Sequence, residues 1–471
     1  MSALHDLSAL EQAEAVRTGE TCSADLVEHY ADRIERIDGQ VGAFVTLTLE
    51  VARRQAEEAD AAVAAGRDDL PPLHGVPIGI KDLNLTEGVP TRLGSRAFED
   101  LVPPLSDHVV DKLRAAGTVS LGKTNTPELG LPCYTETDIA PPARTPWDLS
   151  RSAGGSSGGA AAAVAAGLLP FAQGSDGGGS VRIPASVCGL FGLKVSRGRI
   201  SQGPLLGDVH GLSWNGPIAR TVRDAAALLD AMAGPMPGDP HWAPPPPQPF
   251  LAYADEPAGR LRIGRYRDPV VAAVEVHPHV VEAYEAASVL LAGLGHEVED
   301  VGPPFGPELV PAFEVLWATS AAGVPVDPAR EHLLRPLTRW LRERGRAMSA
   351  TDFTGAMAAL QSATRVAVTA TAAYDVVLTP TLAQPPAPLG WFTEDGDPAA
   401  EFERMKRWTP FTATYNMTGQ PAVNVPLHWS PDGLPIGVML VGRPADEATL
   451  LRLSAQLEGA QPWRERHPDL W

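Results

Sequence analysis

Along the first 66 residues the apolar positions recur at helical spacing. Ser8–Thr18 and Ser23–Ile37 both show it, each with a serine at the start placed to cap a helix. A third stretch, Glu50–Ala65, is rich in Ala and Glu and stops at Gly66. Then the texture changes. Gly75–Leu83 (GVPIGIKDL) and Thr118–Gly122 (TVSLG) are short β-branched runs bounded by Gly and Pro, which predicts strands, with a helix over Asp107–Ala116 between them. Leu261–Tyr266, Asp375–Thr379 and Ile436–Val441 read as further strands. His277–Leu294 and Asp446–Glu458 read as helices, and residues 305–373 as mostly helical. Strands alternating with helices predict an α/β fold with a mixed or parallel sheet. The chain shows no internal repeat.

Two stretches break this rhythm. Residues 151–217 are dense in Gly, Ser and Ala with few long charged side chains, a composition that lets backbone approach a ligand closely. Within them the apolar run Gly158–Ala172 is mostly Ala and too short to span a bilayer, so it predicts a buried helix. The Pro-rich segment Gly234–Pro257, including PPPPQP, predicts an exposed loop or linker of polyproline II character.

Charge narrows the function classes. The 471 residues carry 38 Lys and Arg against 57 Asp and Glu, a net charge of −19. A surface that acidic repels phosphate backbones and anionic lipid, so neither nucleic acid nor membrane is an expected partner. Cys22, Cys133 and Cys188 are odd in number and far apart, fitting neither a disulfide framework nor a zinc site. The N-terminal MSALHDLSALEQ lacks the basic and apolar segments of a signal peptide, and a soluble, cytoplasmic protein is expected.

Three motif matches compete on poor context. Gly117–Thr124 (GTVSLGKT) fits a phosphate-binding loop, but here the strand lies between the glycines rather than before them. Ser120 and Lys123 match S-x-x-K without its S-D-N companion. Gly154–Gly158 (GGSSG) matches a nucleophile elbow. Ser156, Asp375 and His428 would then follow the α/β-hydrolase order of an esterase, but a polar segment precedes the elbow instead of an apolar strand.

A different constellation is self-consistent. Lys81 lies inside the apolar run 75–83, where an ammonium must be paired, snorkelling or neutral; burial can lower a lysine pKa far enough to make it a base. Asp82 points to the opposite strand face and is no automatic partner. Arg151–Gly167 (RSAGGSSGGAAAAVAAG) sets two serines between glycine pairs ahead of a helix. Gly174–Pro184 (GSDGGGSVRIP) sets three glycines before Ser180, and the amides of Gly177, Gly178, Gly179 and Ser180 form a nest suited to an oxyanion. Nucleophile, hydroxyl relay, amine base and oxyanion hole are all present without histidine.

These motifs resemble those of the amidase signature family. The match covers HGVPIGIKDL at 74–83, LGKTNTPELG at 121–130, GGSSGGAAAAVAAG at 154–167, GSDGGGSVRIPASVCGLFGLK at 174–194, GPIARTVRDAAALLD at 216–230 and GLPIGVMLVG at 433–442. The resemblance implies an α/β amidase signature fold, a large mixed β-sheet covered by helices on both faces. It implies one domain over 1–471, with the motif core at about 70–230 and a substrate-pocket helical region at about 300–420. It implies Lys81, Ser156 and Ser180 as the catalytic triad, with a cis peptide beside Ser156 or Ser157. Gly177, Gly178 and Gly179 would form the oxyanion hole, and Ser157, Asp176 and Arg182 would support it. Gly177 stands where the family usually has a larger residue such as Thr or Ile. Gly130, Leu131, Cys133 and Tyr134 are the pocket candidates, and Trp317, Trp340, Trp391, Trp408, Phe411, Tyr415 and Met417 lie in the segments that would set specificity. No cofactor or metal is implied. Residues 151–224 are especially similar to hydrolases of 6-aminohexanoate oligomers and aryl amides and to bacterial urethanases. The expected partner is a small uncharged, partly apolar or aromatic amide or carbamate; a homodimer is compatible with this reading.

Overall fold

The computed structural model describes residues 3–205 and 208–471. Met1 and Ser2 of the N-terminal segment, and Leu206 and Gly207 of the 151–217 block, lie outside the described residues. Eleven strands form one sheet: β1 (Phe44–Leu47), β2 (Pro77–Lys81), β3 (Val119–Thr124), β4 (Phe171–Asp176), β5 (Phe191–Lys194), β6 (Trp214–Ala219), β7 (Arg262–Arg265), β8 (Glu297–Asp300), β9 (Val376–Pro380), β10 (Ala422–Trp429) and β11 (Pro435–Gly442). Their spatial order is β1-β3-β2-β4-β6-β5-β10-β11-β9-β7-β8. The sheet is mixed: β2 runs parallel to β3 and β4, and β7 to β8 and β9, while the middle pairs are antiparallel.

Alternation along the strands builds a core on each face. Val438 and Leu440 of β11 enter one apolar cluster with Ile78 and Ile80 of β2, while Met439 and Val441 enter another. Helices Val222–Met232, Pro278–Gly293 and Glu447–Ala460 cover the first cluster; Ser23–Val41, Gly158–Ala165 and Val310–Gly323 lie against the other face. No helix among the described residues is long and apolar enough to cross a membrane.

Some local expectations need correction. Ser8 caps its helix, accepting from the Glu11 amide at 3.2 Å, but Ser23 does not. Cys22 takes the capping position, and the Ser23 hydroxyl donates to the Gly75 carbonyl at 2.7 Å, stitching helix to strand. The run 158–172 is helical only to Ala165, because Phe171 already opens β4. Residues 305–373 divide into helices Val310–Gly323, Pro336–Ala347 and Ala350–Thr371. The Pro-rich segment is not wholly exposed: its turn Phe250–Tyr253 buries both aromatic rings in the core.

Candidate active site

The site forms beyond the C-terminal ends of β2 and β4. These strands are parallel, with Gly79 opposite Ala172, so Lys81 ends its strand beside Ser175 and Asp176. Ile78 and Ile80 face one core, and alternation turns Lys81 to the other face, where it is fully buried. Its Nζ lies 2.8 Å from Ser156 Oγ, 2.8 Å from Ser157 Oγ, 3.0 Å from Ser175 Oγ and 3.2 Å from the Ser175 carbonyl. Burial pulls this amine down to about 7, against the opposing attraction of the Asp176 charge. Asp82 points away and faces Lys123 at 3.7 Å.

Ser156 and Ser157 arrive on the segment before the Gly158–Ala165 helix, and the Gly155–Ser156 peptide is cis. Residue 155 must be glycine, since a Cβ there would stand 2.7 Å from the Tyr134 backbone. Ser157 Oγ donates to the Ser175 carbonyl at 3.1 Å and accepts from the Ser175 amide at 3.2 Å. The Ser157 amide donates to the Ser180 carbonyl at 3.2 Å, tying the two serine segments together.

The loop after β4 is organised by one carboxylate. Asp176 accepts from the Gly179 amide at 2.8 Å and the Val181 amide at 3.1 Å, and takes the Arg182 fork at 2.9 and 2.8 Å. Burial alone would raise its pKa; the adjoining Arg182 charge and hydrogen bonds outweigh it and hold the group well below the usual carboxylate range. Asn416 closes the network, donating to the Asp176 carbonyl at 2.8 Å and accepting from Arg182 at 2.7 Å. Thr412 donates to the Gly178 carbonyl at 2.7 Å. Gly179 has φ +130°, and a Cβ there would strike Thr412 Oγ1 at 2.4 Å.

This geometry corrects the expected oxyanion hole. The Gly179 amide is taken by Asp176, whereas those of Gly177, Gly178 and Ser180 have no acceptor among the described residues. Ser180 Oγ likewise has no hydrogen-bond partner among them, and Ser180 borders a cavity of about 40 Å³. Leu131, Cys133, Phe313, Trp317, Phe402 and Met405 supply most of its apolar wall. Lys406, also on the wall, is held at 2.6 Å by both Glu314 and Glu403.

Of the four pocket candidates, Leu131 and Cys133 line the cavity. Gly130 sits beside Ser156 instead: a Cβ on it would lie 3.4 Å from Ser156 Oγ. Tyr134 is turned away, stacked on Phe392 at 4.5 Å and bonded to Glu401 at 2.5 Å. Among the six specificity aromatics and Met417, Trp317 alone lines this cavity; Trp391 and Trp408 line a different cleft. Phe313, Phe402, Thr412 and Asn416 escaped the sequence reading, because only tertiary folding brings residues 313–416 to the loop after β4.

The competing motifs do not assemble. Val119–Thr124 is a strand, and Lys123 inside it is buried against the Asn84 carbonyl and Thr91 Oγ1, so Gly117–Thr124 makes no phosphate loop. Asp375 accepts from the Arg262 amide at 2.8 Å, and His428 faces Glu282 at 4.0 Å. Ser156 Oγ meets Lys81 instead, so the esterase triad does not form.

Known proteins resemble this chain over nearly its whole length. The amidase family model matches residues 25–451. The 6-aminohexanoate-cyclic-dimer hydrolase of Pseudomonas sp. is 37% identical over 484 residues, covering 98% of this chain and 96% of its own. The acylamidase of Rhodococcus erythropolis is 35% identical over 479 residues, covering 99% of this chain and 98% of its own. The solved structure of 6-aminohexanoate cyclic dimer hydrolase complexed with substrate superposes with a TM-score of 0.92 at 33% identity, covering 99% of both chains. The buried lysine, the two serine segments and these likenesses over nearly the whole length lead to one assignment: the chain belongs to the amidase signature family and is an enzyme that hydrolyses amide C–N bonds.

Proposed function

We propose that the chain cleaves a small uncharged, partly apolar or aromatic amide or carbamate through an acyl-enzyme, with Ser180 as nucleophile, Ser156 as relay and Lys81 as base. The observation that carries this reading is the set of partners around Lys81 Nζ. The Ser157 hydroxyl already donates to the Ser175 carbonyl, so Ser157 Oγ can only accept from the amine; the Ser175 carbonyl can only accept as well. A neutral amine has two N–H bonds for these two acceptors. Its lone pair is then left for a hydroxyl proton, and Ser156 stands at 2.8 Å to offer one.

The steps balance. Ser180 Oγ forms a bond to the substrate carbonyl carbon, its proton passes to Ser156, and the Ser156 proton passes to Lys81. The free amides of Gly177, Gly178 and Ser180 receive the oxyanion, and such donors are worth roughly 10²–10³ in rate each. On collapse the C–N bond breaks, and the proton returns through Ser156 to the leaving nitrogen. Water then repeats the sequence on the acyl-enzyme and releases the acid. The apolar wall supports an uncharged acyl group, and the relatives act on a cyclic 6-aminohexanoate dimer and on acyl amides by name.

Labelling with a fluorophosphonate and mapping the adduct by mass spectrometry tests the roles. The label is expected on Ser180. A label on Ser156 would overturn the assignment.

A further inference from the structure

The cavity beside Ser180 has walls of two kinds. Leu131 and Cys133 are buried, and Ile183 follows Arg182, which Asp176 and Asn416 hold in place. The rest of the apolar wall rides on two helices. Phe313 and Trp317 come from Val310–Gly323, and Phe402 and Met405 from Pro398–Trp408. Phe313 and Trp317 stack on each other with 5.3 Å between ring centroids. They lie over the two glycines whose amides are free: a Cβ on Gly177 would stand 3.5 Å from Trp317, and one on Gly178 would stand 3.8 Å from both rings.

Among the described residues these two helices share one polar link, the ion pair of Glu314 with Lys406 at 2.6 Å. Lys406 itself lines the cavity, and its ammonium sits 5.5 Å from the centre of the Phe402 ring. The two side chains are 20% and 11% exposed, so the pair is screened less than one on the open surface. Each partner also has a second counter-ion. Glu314 meets Arg344 at 3.2 Å, and Lys406 meets Glu403 at 2.6 Å. Cutting the link from either side therefore strands no charge, and the fold is expected to stand.

We propose that the Glu314–Lys406 pair is a specificity determinant, a clasp that sets the size of acyl group admitted to Ser180. The inference rests on Ser180 being the nucleophile. The cavity holds only about 40 Å³, and an acyl group that outgrows it needs the two helices to part. The clasp opposes that parting and leaves a group that already fits untouched. A bulky substrate thus meets a cost that a small one does not, and the pair acts on the difference between them.

Two anilides with the same p-nitroaniline leaving group, acetyl and phenylacetyl, test this on the full-length enzyme. The quantity read is the ratio of kcat/KM, phenylacetyl over acetyl. Glu314→Gln and Lys406→Met are each expected to raise it at least about threefold, and the double variant no further than either single. Lys406→Arg, which keeps the pair, is expected to stay near the wild-type ratio. Damage to the fold alone would slow both substrates alike and leave the ratio where it was. A smaller rise in either single variant, additive rises in the double, or a rise in Lys406→Arg equal to that in Lys406→Met would each overturn the clasp. Fluorophosphonate labelling of the same proteins separates the two failures: label on Ser180 with an unmoved ratio sinks the clasp alone, whereas label on Ser156 sinks the Ser180 reading and the clasp with it.

Discussion

Two buried lysines lie on neighbouring parallel strands, one register position apart. Lys81 ends β2 opposite Thr124, and Lys123 on β3 stands opposite Ile80. Burial is the largest influence on both, lowering Lys81 to about 7 and Lys123 to about 8. Their partners differ. Around Lys123 every group accepts: the Asn84 carbonyl, Thr91 and Thr86, whose hydroxyls donate to the Val89 and Asn84 carbonyls, and the Asp82 carboxylate at 3.7 Å. That shell calls for three N–H donors and fits an ammonium. Around Lys81 the Ser156 and Ser175 hydroxyls have protons not committed elsewhere among the described residues, and no carboxylate stands within ion-pair distance. Burial alone does not distinguish the two lysines. The neighbours' proton inventory does.

The largest effect that would break this contrast is catalytic. Lys81→Met, Ser156→Ala and Ser180→Ala are each expected to reduce kcat/KM by at least roughly 10²–10⁴, measured by release of p-nitroaniline from an anilide. Lys123→Met is expected to do the opposite. It strands Asp82 and should lower unfolding free energy by about 3–5 kcal/mol in denaturant titrations, while kcat per folded molecule changes by less than about tenfold. Comparable losses of kcat in Lys123→Met and Lys81→Met would erase the distinction.

The pH profile sharpens it further. With Lys81 as the proposed base its reactive form is unprotonated, and burial pulls the amine down to about 7, so kcat/KM should rise with pH through that region and level off above it. Lys123→Met should keep the same midpoint; an acid-favoured profile would rule out a lysine base. Ser175→Ala separates the two hydroxyls beside Lys81. Its expected cost is about 1 kcal/mol in the activation barrier, far below that of Ser156→Ala. Tyr134→Phe is the mildest. It removes the buried bond to Glu401 while leaving the backbone beside Gly155, and a drop of a few degrees in Tm with near-normal kcat is expected.

The grouping of the motif residues was more legible than the individual strands. Lys81, Ser156, Ser157, Asp176, Ser180 and Arg182 sit in short motifs whose residue types and spacing are local properties, and the structure gathers all six. Strands β4 (FAQGSD) and β6 (WNGPIA) were missed because they carry Gly and Pro, lack alternation and owe their extended form to burial in mid-sheet. The Gly179 amide was misassigned because Asp176 folds back onto it, which a one-dimensional pattern does not contain. The aromatics failed for a simpler reason. A helix such as Pro398–Trp408 presents apolar residues on two sides, and spacing cannot tell which side meets Ser180.

The cavity at Ser180 has room for only a few water molecules. Under the proposed role of Ser180, an acyl group larger than that would have to displace Phe313 and Trp317, and these rings ride on the Val310–Gly323 helix. On that reading selectivity is a mechanical property as much as a chemical one. The acids released are those whose bulk the helix yields to, and loosening its seat should widen that range before it alters the Lys81 amine.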